Sequence, residues 1–165
     1  MKRTGNLYHH ICSTRNLLLA LRRALRGKRH KSSSIRFLAQ CRRNLRFVQQ
    51  KLASRSWYPG EYNTFTIHEP KKRLITAAPF EDRVVHHAIM NIVEPHLERF
   101  SIHDSYACRR GKGLHTAIAR ARAYQRRYAW FLKLDIRKYF DSIDHSILKS
   151  LLARRFKDRD LLELF

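Results

Sequence analysis

The residues best suited to chemistry lie in one stretch, Lys133-Leu-Asp-Ile-Arg-Lys-Tyr-Phe-Asp-Ser-Ile-Asp-His145. Just before and into it, Trp130, Leu132, Leu134 and Ile136 alternate with Phe131, Lys133 and Asp135, which predicts a strand with Asp135 near its end on the less apolar side. A carboxylate at the end of a buried strand is costly unless something compensates it. A divalent cation held against a substrate phosphate is one compensation, and a structural cap is another. Asp141 and Asp144 could extend Asp135 into the ligand set of a metal-dependent nuclease. Each also fits a turn or cap, and Asp144, just before Ser146-Ile147-Leu148, reads as a helix N-cap. Lys112 between Gly111 and Gly113 has the look of a phosphate loop but lacks the rest of such a motif. Cys12, Cys41 and Cys108 share no short spacing, so neither a zinc site nor a disulfide framework is indicated, and a reducing cytoplasm is expected.

The elements that must position these groups can be read from periodicity. Apolar residues at Leu38, Cys41, Leu45, Val48 and Leu52 predict an amphipathic helix whose other surface carries Arg42, Arg43, Arg46 and Lys51. Asn16 to Arg26 predicts an earlier helix, and Gly27 with the Lys/Arg/His/Ser stretch to Ser34 separates the two. After Pro59-Gly60 the period falls to two. Tyr62–Ile67 and Arg73–Ala77 form a predicted hairpin that turns at His68-Glu69-Pro70, with Lys71 and Lys72 near its tip. From Phe80 a helix with Val84, Val85, Ala88, Ile89, Ile92 and Val93 on one face runs until Pro95 interferes. Another basic helix spans Leu114 to about Tyr128, and a last one carries LKSLLARRF.

Composition narrows the partner. The chain of 165 residues has a formal net charge of +22, well beyond what solubility requires, so a polyanion is expected, nucleic acid ahead of a membrane surface. No acid occurs from Met1 to Gly60, a stretch with 15 of the 35 Lys and Arg. Such a segment binds by releasing counterions from a phosphate backbone, with steep salt dependence and little sequence preference. No apolar run approaches membrane-spanning length, and the first residues lack the apolar core of a secretory signal.

The string around Asp135 resembles motif A of reverse transcriptases, in the form found in group II introns, retrons and diversity-generating retroelements: Asp, a hydrophobic residue, two variable residues, then aromatics, Asp, Ile and His. The resemblance implies that Asp135 is a catalytic ligand of Mg2+, that the Ile136 carbonyl assists, and that Phe140 sits under the sugar of the incoming nucleotide and clashes with a 2′-hydroxyl. Glu69-Pro-Lys-Lys-Arg-Leu-Ile-Thr-Ala-Ala-Pro-Phe-Glu-Asp-Arg83 is similar to the fingers motif of the same family. It implies that Lys71 and Arg73 neutralise a triphosphate and that Arg83 lies toward the template. Ser105-Tyr-Ala-Cys-Arg-Arg-Gly-Lys-Gly-Leu-His-Thr-Ala117 resembles a third element of that family, implying template contacts for Arg109 and Lys112. It departs at Ala107 and Cys108, where Gly and Phe are commoner in group II introns; with His86-His87, this leans toward the diversity-generating or retron-like branches.

Three motifs in the right order span roughly Leu38 to Leu152. The Tyr-x-Asp-Asp turn that supplies the other metal-binding aspartates in that family does not occur in the sequence. The expectation is therefore an α+β N-terminal fragment of a bacterial-type reverse transcriptase: a basic helical segment 1–60, fingers 61–128, and the truncated start of a palm 129–165. Two-metal transfer needs a carboxylate set holding ions about 3.5–4 Å apart, so the fragment alone is expected to be inactive. The implied partners are an RNA template, a DNA primer, deoxynucleotide triphosphates, and a missing palm and thumb portion or an accessory protein. A non-catalytic, maturase-like RNA-binding protein is the competing reading. Unpaired palm residues should leave an apolar patch at Trp130–Ile136 and Leu161–Phe165.

Overall fold

The computed structural model describes residues 3–68 and 70–165 and is about 54% helical and 7% strand, the expected α+β mixture. In order, the elements are α1 (Tyr8–Ile11), α2 (Thr14–Ala24), α3 (Ser32–Ala39), α4 (Cys41–Ala53), β1 (Asn63–Ile67), β2 (Arg73–Ala77), α5 (Phe80–Glu98), α6 (Leu114–Arg127), α7 (His145–Ala153) and α8 (Arg159–Leu164).

The core is helical. α2 starts where Ser13 Oγ accepts the Asn16 N–H, and its Leu17, Ala20, Leu21 and Ala24, spaced three and four apart, are buried. They meet Val84, Val85, Ala88, Ile89 and Val93 of α5, with Val48 and Leu52 of α4. Asn16 is buried in this interface without being orphaned. Its Nδ2 donates to the carbonyls of Ile11 (3.1 Å) and Ala88 (2.9 Å), and its Oδ1 accepts from Asn91 (2.8 Å). Arg23 in turn donates to Asn91 Oδ1, so α2 and α5 are keyed together by polar contacts as well as apolar ones.

The two ends of the described chain are knitted to this core and to each other. Thr4 and Phe156 form a parallel bridge, and Asp158 accepts the N–H groups of Leu7 (2.7 Å) and Tyr8 (3.0 Å) at the start of α1. The same carboxylate caps α8 at Leu161 N–H, and Arg55 pairs with Asp160 at 2.6 Å.

β1 and β2 pair antiparallel from Asn63↔Ala77 to Ile67↔Arg73, and nearly all their side chains face solvent. An isolated two-stranded hairpin is marginal in water. This one is fixed at its base, where buried Asp82, in the first turn of α5, accepts the Gly60 N–H at 2.8 Å. Glu69, assigned to the turn of the hairpin, lies outside the described residues.

Four expectations are corrected. Trp130–Ile136 has a strand's alternation but forms no strand, because no neighbouring segment among the described residues takes up its backbone hydrogen bonds. Pro95 does not end its helix: α5 continues to Glu98, although Pro95 offers no N–H to the preceding turn. Gln40, at φ −127 and ψ 42, breaks the helix expected from Leu38 to Leu52, and α3 begins inside the stretch read as a linker. Finally, Leu161 is fully buried in the same core as Phe156, and Leu162 and Leu164 pack partly against it, so of the expected patch the Trp130–Ile136 half and Phe165 are exposed while the rest of the tail's apolar side chains lie on the core.

Candidate functional site

Asp135 lies in an extended, solvent-facing segment. Trp130, Phe131, Leu132 and Leu134 around it are each more than four-fifths exposed, which is far from the resting state of such side chains in a finished core. Beyond it Lys138 adopts a left-handed conformation (φ 50), unusual for a residue with a side chain. That reversal leads into a 3₁₀ turn, Phe140–Ser142, and sets Phe140 edge-on to Tyr139 with centroids 5.3 Å apart. Ile136 and Phe140 are both exposed. Asp144 caps α7, accepting the N–H groups of Ser146 (2.8 Å) and Ile147 (3.1 Å). Its carboxyl is held below the usual range first by the Ser146 hydroxyl and then by those two N–H groups.

These positions do not make a metal centre by themselves. Asp135 contributes one carboxylate and Ile136 one carbonyl, whereas Asp144 is engaged as a cap. Among the described residues no group of three or more His, Cys, Asp or Glu is placed to hold an ion. The donor set therefore does not fit a two-ion site without further ligands.

Lys71 and Arg73 are exposed at the hairpin, Lys71 in the turn and Arg73 opposite Ile67. The hairpin thus carries both cations at its turn end. No hydrogen bond, ion pair or ring contact among the described residues joins them to Asp135. Arg83, on α5, reaches the Ser33 hydroxyl at 3.4 Å and lies over the Phe80 ring at 5.1 Å.

Arg109 and Lys112 have internal work. Arg109 grips Glu98 through Nε and Nη2 (2.7–2.9 Å) and donates Nη1 to the carbonyls of Ile102 (2.7 Å) and Ser105 (2.9 Å). Its guanidinium braces the loop between α5 and α6 and is not turned to solvent, only 14% of its side chain being exposed. Lys112 donates to the His103 carbonyl at 2.8 Å and sits over Tyr106.

Sequence reasoning missed the centre of that loop, Asp104. Arg120 clasps it (2.9 and 3.2 Å), and the hydroxyls of Tyr106 (2.9 Å) and Tyr124 (2.8 Å) donate to it. Arg120 first, then the two tyrosines, hold this carboxyl far below the ordinary range. The contact joins residues sixteen positions apart, a separation that carries no periodic signal. It fixes the loop against α6, a helix with no buried residue of its own.

The electrostatic surface is one-sided. Arg22 near the end of α2, Arg26 and Arg29 in the turn that follows it, and Arg42 and Arg46 on α4 are exposed with no carboxylate partner among the described residues. Such faces attract phosphate backbones. No helix among the described residues is long and apolar enough to cross a membrane.

Residues 63–162 match the family described as "Reverse transcriptase (RNA-dependent DNA polymerase)", and the chain belongs to that family. Over 85 residues, 52% of this chain and 12% of the relative, it is 35% identical to "Nuclear intron maturase 1, mitochondrial" of Arabidopsis thaliana. It is 28% identical to "Nuclear intron maturase 2, mitochondrial" of the same plant over 63% of this chain and 14% of the relative. With "Group II intron-encoded protein LtrA" of Lactococcus lactis subsp. cremoris it shares 27% identity over 71% of this chain and 20% of the relative. The chain thus spans between 12% and 20% of the length of these three relatives.

Proposed function

We propose that this chain is the fingers (61–128) and opening palm (129–165) of a reverse transcriptase of bacterial retroelement type, preceded by a basic helical segment (1–60). In this reading Lys71 and Arg73 grip the triphosphate of an incoming deoxynucleotide. Phe140 excludes the ribose 2′-hydroxyl, and Arg83 and Lys112 lie along the RNA template. Arg109 acts on the template side by holding the loop in shape. Asp135, with the Ile136 carbonyl, supplies one arm of a magnesium site whose other carboxylates come from outside these residues. The partners are an RNA template, a DNA primer and a palm portion carrying those carboxylates. Free Cys12, Cys41 and Cys108 suit a reducing cytoplasm.

The observation that carries the reading is the hairpin. Its register puts Arg73 at the first β2 position and Lys71 in the turn, and Asp82 fastens its base inside the segment that matches the family. The test is primer extension on an RNA template with magnesium and deoxynucleotides. The purified chain should give none, since one carboxylate cannot hold two ions. Extension that disappears in Asp135→Ala would overturn the assignment of the missing carboxylates to another segment.

A maturase-like, non-catalytic RNA-binding role is the second reading, favoured by the exposed basic faces of α2 and α4. Salt-sensitive RNA binding with no extension, even when a Tyr-x-Asp-Asp palm portion is supplied, would select it.

A further inference from the structure

The first turn of α3 is unfinished in a way that points to a ligand. Its N-cap, Lys31, makes no side-chain cap, and the N–H groups of Ser32 and Ser33 have no acceptor among the described residues. Ser34, the third residue of the helix, is completely buried, yet its Oγ has no hydrogen-bond partner. Side chains on a helix tilt toward its N-terminus, which puts this hydroxyl on the side of the open turn. From α5, Arg83 reaches the same turn through the Ser33 hydroxyl, while its own buried Nε is also unpartnered. Buried polar groups are almost always paired, and of the three unpartnered buried side-chain atoms among the described residues (Ser34 Oγ, Arg83 Nε and His96 Nδ1) two flank this one helix start.

The surroundings are cationic. Lys28 and Lys31 adjoin the turn, and no carboxylate among the described residues pairs with either or with Arg83. His87, one turn beyond Arg83 on α5, is pushed below its ordinary range first by burial and then by Arg23, His86, Lys28 and Arg83, all of them basic. A helix N-terminus with free N–H groups, hydroxyls and an arginine is the chemistry of an oxyanion site.

We infer that the first turn of α3, with Ser33, Ser34 and Arg83, binds one backbone phosphodiester of the nucleic acid. The inference rests on the nucleic-acid-binding reading above and adds to it a defined contact outside the hairpin and the Asp135 segment.

Ser33→Asp tests it, because a carboxylate at the second helical position fills the turn and faces Arg83 while favouring the helix. Binding of a short single-stranded RNA ending in a 5′-hydroxyl is followed by fluorescence anisotropy across a salt series. The variant should melt no lower than the parent and bind several-fold more weakly. Its slope of log affinity against log salt should shrink by about 0.7, the value for one single-strand phosphate. Ser101→Asp, an equal charge change on an exposed turn, should leave that slope nearly unchanged. Equal effects of the two variants, or none from Ser33→Asp, overturn the site. Weakening seen only with RNA carrying a 5′-phosphate overturns the backbone assignment. If the parent binds no RNA, the broader reading fails, and inorganic phosphate then decides the pocket: shifts of the Ser32 and Ser33 amide resonances support it and their absence overturns it.

Discussion

Asp158→Ala should lower stability measurably, because one half-buried carboxylate caps the starts of two helices and joins the two ends of the described chain. It accepts Leu7 and Tyr8 N–H at 2.7 and 3.0 Å and Leu161 N–H at 3.4 Å. A lost N-cap costs about 1 kcal/mol, and two helix starts are involved, the second through a longer bond, so the expected loss is about 2 kcal/mol. For a chain of this size that is a fall in Tm of roughly 4–8 °C. Thermal unfolding followed by far-UV circular dichroism measures it. Asp158→Asn keeps one acceptor oxygen and should recover at least half. The pH dependence has a definite sign. Burial raises the Asp158 carboxyl, but the N–H groups of Tyr8, Leu7 and Leu161 outweigh it and leave the folded value below the ordinary one. A depressed carboxylate stabilises above its unfolded value, about 3.9, and that stability is lost as pH falls through the folded value. The gap between parent and Ala variant should therefore close in acid. A change in Tm under about 1 °C at neutral pH, or a gap that widens on acidification, would refute the double-cap argument.

Other expectations follow from particular contacts. Asp82→Ala leaves the Gly60 N–H without its acceptor, costs about 1–3 kcal/mol, and should speed amide exchange throughout β1 and β2; unchanged exchange there would show that the base is held otherwise. Asp104→Asn should loosen residues 101–113 and α6, read as faster exchange in that stretch, while α2 and α5 keep their protection. In an enzyme completed with a palm portion, Phe140→Ala should raise ribonucleotide incorporation by roughly 10- to 200-fold, the range one steric contact can supply. RNA affinity of the chain should fall steeply with salt, and a shallow dependence would deny the exposed arginines of α2 and α4 their role.

Much of the fold was legible because its elements are amphipathic. The buried stripe of α2, the hairpin strands and the limits of α6 follow from apolar spacing, and the Asp144 cap follows from its place before Ser146. What was not legible depends on partners distant in sequence. Trp130–Ile136 has a strand's pattern, but a strand exists only with a neighbour to bond. Nothing local marks Asp104 as the hub of its loop. Pro95 stays in a helix because the preceding turns of α5 are already fixed by burial of Val84, Val85, Ala88, Ile89 and Val93 in the core, which outweighs one missing N–H. The Asp158 cap was readable in principle, as an acid standing before the apolar run Leu161-Leu162. For the candidate site, the motif residues could be named in order, but the internal engagement of Arg109 by Glu98 and two carbonyls needed coordinates.

In the proposed function Asp135 supplies one catalytic carboxylate to a polymerase site completed by a segment outside these residues. Its most direct test joins the chain to a palm portion bearing Tyr-x-Asp-Asp and measures magnesium-dependent extension of a DNA primer on RNA. Extension should arise in the joined protein, and Asp135→Asn should abolish it while leaving RNA affinity intact. Undiminished extension in Asp135→Asn would contradict the account.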